Sequence, residues 1–125
     1  MGKIEKFEEI RAWQSAREVV NRIYEISQGE RFKKDFSLCN QIKRASISIM
    51  SNVAEGFSRQ SRKEFIQFLF IAKGSAAEVQ SQLYIALDQG YISDEHFREI
   101  YDKVEETAKL LSKFITYLKS LNKRN

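Results

Sequence analysis

His96 is the chain's one imidazole and Cys39 its one thiol. A zinc site draws on three or four nitrogen, sulfur or carboxylate ligands, and these two residues have no second histidine or cysteine to join them. His96 falls three positions after Ser93, in the first turn of a predicted helix, where an exposed polar side chain is ordinary. Cys39 stands beside Leu38 and reads as a small buried hydrophobe. No P-loop, G-x-G-x-x-G, G-x-S-x-G or H-E-x-x-H motif occurs. A di-iron bundle needs Glu-x-x-His pairs aimed into its core, and Ser93 occupies the position three before His96. Carboxylate neighbours such as Glu105-Glu106 and Asp94-Glu95 are typical of a solvated helix. The expectation is a protein that is not an enzyme and needs no metal or cofactor.

Two other residue sets bear on function. Asn52, Glu55 and Gly56 come near the end of a predicted helix. Asn52 lies on that helix's apolar line, where an unpaired amide is costly. The three read as a structural polar cluster holding the following turn, in preference to a ligand contact. The second set is basic. Arg59, Arg62 and Lys63, with Lys43 and Arg44 before them, are the densest cations in the chain. Residues 31–73 sum to +6 and residues 112–125 to +4, while residues 1–30 sum to −1 and residues 78–111 to −5. Clustered Lys and Arg neutralise phosphates.

The elements that position these residues are helices. Proline is absent, so nothing interrupts long runs. The periodicity predicts four, over about residues 8–28, 37–57, 62–89 and 94–121. In the first, Trp13, Ala16, Val20 and Ile23 mark one face, and Gly29 suits a left-handed C-terminal residue. The second carries Leu38, Ile42, Ala45 and Ile49. The third opens on an S-x-x-E capping box, Ser61 to Glu64, and runs Phe65, Leu69, Ala72, Ala76, Val79, Leu83 and Ala86 to a stop at Gly90. Ser93 caps the fourth, with Ile92 and Phe97 placed as a hydrophobic staple. Its stripe is Phe97, Tyr101, Val104, Ala108, Leu111, Ile115 and Leu118.

Long helices on short loops predict an up-down-up-down antiparallel four-helix bundle, one domain over residues 1–125. That topology brings Lys119, Lys123 and Arg124 to the same end as the turn between helices 2 and 3, making a basic end suited to RNA or DNA. The stripes are also wider than one small bundle needs. Helix 4 has a second line at Ile100, Thr107, Phe114 and Leu121. Helix 3 is apolar nearly all round over residues 65–72. Phe68, Phe70, Ile71, Ile100, Phe114 and Leu121 are therefore the expected interface of a homo-oligomer. Gly74-Ser75-Ala76-Ala77 would let helix backbones approach closely.

The stretch Lys3-Ile4-Glu5-Lys6-Phe7-Glu8-Glu9-Ile10 followed by Ala12-Trp13-Gln14 resembles the opening of the four helix bundle proteins related to the 23S rRNA intervening-sequence protein. Gln41 to Ile49 and Ser51-Asn52-Val53-Ala54-Glu55-Gly56-Phe57 look like the central signature of that family. Lys63-Glu64-Phe65, Phe68-Leu69, Ile71-Ala72, Gly74-Ser75 and Gly90-Tyr91-Ile92 continue the likeness over nearly the whole chain. The resemblance implies a bacterial four-helix protomer assembling as a ring-like homopentamer. It also implies similarity to the accessory variability determinant of diversity-generating retroelements, a basic pentamer that binds nucleic acid and a reverse transcriptase. No catalytic residue carries over, because the family has none assigned.

The 125 residues, with 42% hydrophobic and 12% aromatic content, can build a core, and their net charge is +4. One cysteine cannot form an intrachain disulfide, and the opening residues have no apolar signal region, so the expected location is the cytoplasm. The longest apolar run, Phe68 to Ala72, is far short of the roughly 20 residues of a membrane span. The expected function is an oligomeric nucleic-acid-binding protein, RNA before DNA. The alternative is a protein-interaction scaffold with no nucleic-acid role.

Overall fold

The computed structural model describes residues 3–123, without the side chains of residues 122 and 123. A 3-10 turn at Phe7–Glu9 precedes α1 (Arg11–Ile26), and a second at Phe32–Lys34 precedes α2 (Phe36–Phe57). Then come α3 (Arg62–Asp88) and α4 (Asp94–Lys123). The described residues contain no strand, and no helix among them is long and apolar enough to cross a membrane.

Helix α1 starts later than its periodicity suggests. Ile10 has extended backbone (φ −76°, ψ 121°) and is buried, so it breaks the helical path to reach the core. The buried face of α1 is Ala12, Ser15, Ala16, Val19, Ile23 and Ile26. Trp13 and Val20 sit at its margin, with Trp13 edge-on to Phe7 at 5.2 Å. The face is turned because Ser15 is polar by type yet satisfied inside. Thr107 donates its hydroxyl proton to the Lys103 carbonyl (2.9 Å), which leaves Ser15 to donate to Thr107 Oγ1 at 2.6 Å. Gly29 is not the left-handed residue expected; α1 ends on Ser27 in right-handed geometry, and Gly90 (φ 74°) is the one positive φ among the described residues.

The other caps follow local rules. Asp35 Oδ1 accepts the Leu38 N–H at 3.0 Å, and its Oδ2 accepts the Tyr91 hydroxyl at 2.9 Å. That hydrogen bond raises the Tyr91 phenol above its ordinary pKa, and it ties the α3–α4 connection to the start of α2. Ser61 Oγ accepts the Glu64 N–H (3.1 Å), and its hydroxyl reaches the Glu64 carboxylate (3.2 Å). At the end of α3, Tyr91 N–H bonds Ala86 O and Gly90 N–H bonds Leu87 O, a Schellman pair that requires left-handed backbone at Gly90. Ser93 Oγ accepts the His96 N–H at 3.0 Å, and Ile92 and Phe97 are both buried beside it.

Helices α1 and α3 each pack on both α2 and α4. Between α1 and α4, Ser15 meets Thr107, Glu18 meets Lys103, and Arg22 meets Glu99 through two bonds of 2.7 and 2.9 Å. The numbering rises along one helix as it falls along the other. The Arg22 fork holds the Glu99 carboxyl below its ordinary pKa. Between α2 and α3, Ser48 Oγ lies 2.8 Å from Ser75 Oγ, and Gly56 lies against Phe65 and Phe68. Between α3 and α4, Gln80 reaches Glu105 (2.9 Å) and the Tyr84 ring lies 4.9 Å from Phe97.

The second apolar line of α4 belongs to this core. Ile100 and Thr107 have no exposure at all, so Ile100 is not an interface residue. Because α4 faces α1 and α3 together, it buries a broader stripe than contact with one neighbour would need. Phe114 and Leu121 are half-buried against the same core. Helix α3 is different. Phe70, Ile71, Tyr84 and Ile85 are each about half exposed (46–52%) and share one outer side of that helix.

Candidate functional site

The chain's one thiol and one imidazole sit in contrasting surroundings. Cys39 Sγ is buried and donates to the Phe32 carbonyl at 3.2 Å, and burial pushes its thiol pKa up. It is a protonated, small, mostly apolar side chain. His96 is exposed at the start of α4. The described residues contain no group of three or more His, Cys, Asp and Glu that could hold a metal ion.

Asn52, Glu55 and Gly56 do three separate jobs and are not one cluster. The Asn52 amide donates back one turn to Ser48 O (2.8 Å) and Ser48 Oγ (2.9 Å), joining the Ser48–Ser75 contact between α2 and α3. Glu55 pairs with Arg59 at 3.0 Å. Gly56 marks a tight contact with α3, since a Cβ there would sit 2.8 Å from Phe65 Cδ1 and Phe68 Cβ.

The basic residues divide between the two ends. Arg59 and Lys63 are exposed at the α2–α3 turn, and Arg62 is half-buried between them. The Arg59 guanidinium lies over the half-buried Phe68 ring at 4.8 Å. Lys119 reaches this region from α4, its amine 5.2 Å from the centre of the Phe70 ring, with Lys73 at 5.8 Å from the same ring. Lys43 and Arg44 do not join them. They precede the end of α2 by more than three turns, ~20 Å along the axis at 1.5 Å per residue. Lys43 instead covers the Tyr24 ring at 4.7 Å. The side chains of Lys123 and Arg124 lie outside the described residues.

A groove of about 550 Å³ opens at the same end as the α2–α3 turn, between the N-terminal segment, the start of α1 and the second half of α4. Ile4, Ile10, Leu110, Phe114 and Tyr117 wall it, and Lys3, Arg11 and Lys113 stand around it. Rings connect it to the turn: Phe57 meets Phe65 at 6.1 Å, Phe65 meets Phe114 at 5.3 Å, and Phe114 stacks on Tyr117 at 6.4 Å. Sequence reasoning missed Lys3 and Arg11. Their charges are cancelled in any local sum by Glu5, Glu8 and Glu9. Lys113 carried a signal, as part of the basic stretch at residues 112–125.

Comparison with known proteins gives a family and a fold. The family model described as 23S rRNA-intervening sequence protein matches residues 8–113. The crystal structure of a protein of unknown function from the S23 ribosomal protein family of Bacteroides thetaiotaomicron is similar to this chain. It has 31% identity and a TM-score of 0.75, over 83% of this chain and 97% of that one. No curated protein matches.

Proposed function

Because the chain belongs to the 23S rRNA-intervening sequence protein family, we propose that it is a non-enzymatic nucleic-acid-binding protein, acting on RNA before DNA. Its protomer is an up-down-up-down four-helix bundle, assembled as a homopentamer in the cytoplasm. The observation that carries the binding reading is the basic end. Arg59, Lys63 and Lys119 gather there with Lys3, Arg11 and Lys113 around the neighbouring groove. Cations that meet phosphates release condensed counterions, so the interaction is strong at low salt and fades as salt rises. Repeating the end around a ring adds avidity without new contacts. Assembly is supported by the exposed side of α3, where Phe70, Ile71, Tyr84 and Ile85 stay about half exposed even though the Tyr84 ring meets Phe97 and Tyr101. The same side supports the second reading, a protein-binding scaffold.

Fluorescence anisotropy with RNA and DNA oligomers at two salt concentrations tests the proposal, on protein sized by light scattering. The double variant Arg59→Glu, Lys63→Glu should bind at least about tenfold more weakly, with a shallower salt dependence and unchanged mass. Unchanged affinity, or no binding by the parent at low salt, overturns the nucleic-acid reading.

A further inference from the structure

The groove at the basic end has the makings of a base-binding site. We propose that it takes one unstacked base of a single-stranded nucleic acid, with the flanking phosphates on Lys3, Arg11 and Lys113. The proposal deepens the nucleic-acid reading above and rests on it.

Three observations converge. The first is shape: about 550 Å³ is within the usual range of small-ligand sites, and the walls are chiefly apolar. The second is an aromatic ledge. Phe114 and Tyr117 lie one turn apart on α4 with ring planes only 25° from parallel. Phe114 is anchored edge-on to Phe65 (84°), whereas Tyr117 is 40% exposed. No cation and no further ring covers Tyr117 among the described residues, so it presents a free face. Every base has a complementary face, and stacking of this kind is the common currency of single-strand recognition. The third is charge. Among the described residues Lys3, Arg11 and Lys113 enter no ion pair, unlike Arg22, Arg59 and Lys103. The one carboxylate in the lining, Glu9, already accepts the Glu5 backbone N–H at 3.2 Å. Three cations against one carboxylate around an apolar slot suit an anion with a flat apolar body. A duplex does not offer one, because its bases are stacked inside.

The test uses the full-length protein and three probes: a short single-stranded RNA, its duplex, and an abasic ribose-phosphate chain of the same length. The parent should prefer the single strand. Tyr117→Ala should lose about tenfold or more on the single strand, as for one lost base stack, and nothing on the abasic chain. Tyr117→Phe should bind like the parent. Because Tyr117 is exposed, the alanine variant keeps its fold, which circular dichroism checks. If Tyr117→Ala matches the parent on the single strand, or the abasic chain binds as tightly as the RNA, the base site is overturned while the basic end stands. If the parent binds none of the three at low salt, the nucleic-acid reading falls and the base site with it.

Discussion

Ile100 has no solvent exposure, and neither do Val104 and Leu111 further along α4. Its side chain fills space that no neighbour can collapse into cheaply. Ile100→Ala should therefore cost about 2–5 kcal/mol, read as a lower urea midpoint with an unchanged slope. A variant as stable as the parent would contradict the core placement. Other residues show how polarity is tolerated inside. Thr107 and Ser15 are buried because Ser15 donates to Thr107 and Thr107 to the Lys103 carbonyl, and Cys39 because its thiol stays protonated against a carbonyl. Nothing in the residue types announced the Ser15–Thr107 pair. A serine on an apolar helix face looks like an interruption until its partner on another helix is known.

Helices α2 and α3 pack tightly where Gly56 faces Phe65 and Phe68. Alanine would improve intrinsic helix propensity by up to about 1 kcal/mol. The added methyl would, however, meet Phe68 Cβ at 2.8 Å, and a Cβ cannot swing aside as a side-chain tip can. Forcing the helices apart costs about 1–3 kcal/mol, so Gly56→Ala should lower the melting temperature. A higher one would show that the contact relaxes freely. The caps at this scale were largely legible in advance. Ser61, Ser93 and Gly90 act within a few residues of themselves, so their chemistry is local. Gly29 was misread because a glycine near a helix end permits left-handed backbone without demanding it.

The whole protomer leaves one side of α3 unsatisfied. Phe70 and Ile71 lie at one end of that side and Tyr84 and Ile85 at the other, with Gly74, Ala77 and Ser81 exposed between them. Small residues flanked by large apolar ones let another helix come near. Ile71→Glu with Ile85→Glu should reduce the mass seen by light scattering to that of a smaller species, with helix content retained, because both positions are exposed in the protomer. An unchanged mass would remove this face from the assembly. The same design helps separate assembly from binding, since neither Ile71 nor Ile85 lines the groove with Tyr117.

The residues alone determined the all-helical class, the extents of α2, α3 and α4 to within a residue or two, and most caps. These depend on a 3.6-residue period and on hydrogen bonds spanning three or four positions. Tertiary structure decided how each helix is rotated and which residues share an end. A one-residue error turns a helix face by about 100°, enough to exchange Val19 for Val20 as the buried residue of α1. Lys43 and Arg44 share a basic stretch of sequence with Arg59, but the 1.5 Å rise per residue of α2 carries them ~20 Å from that helix's end. Lys3, Arg11 and Lys113 looked unrelated because only packing of α1 on α4 brings them to one groove.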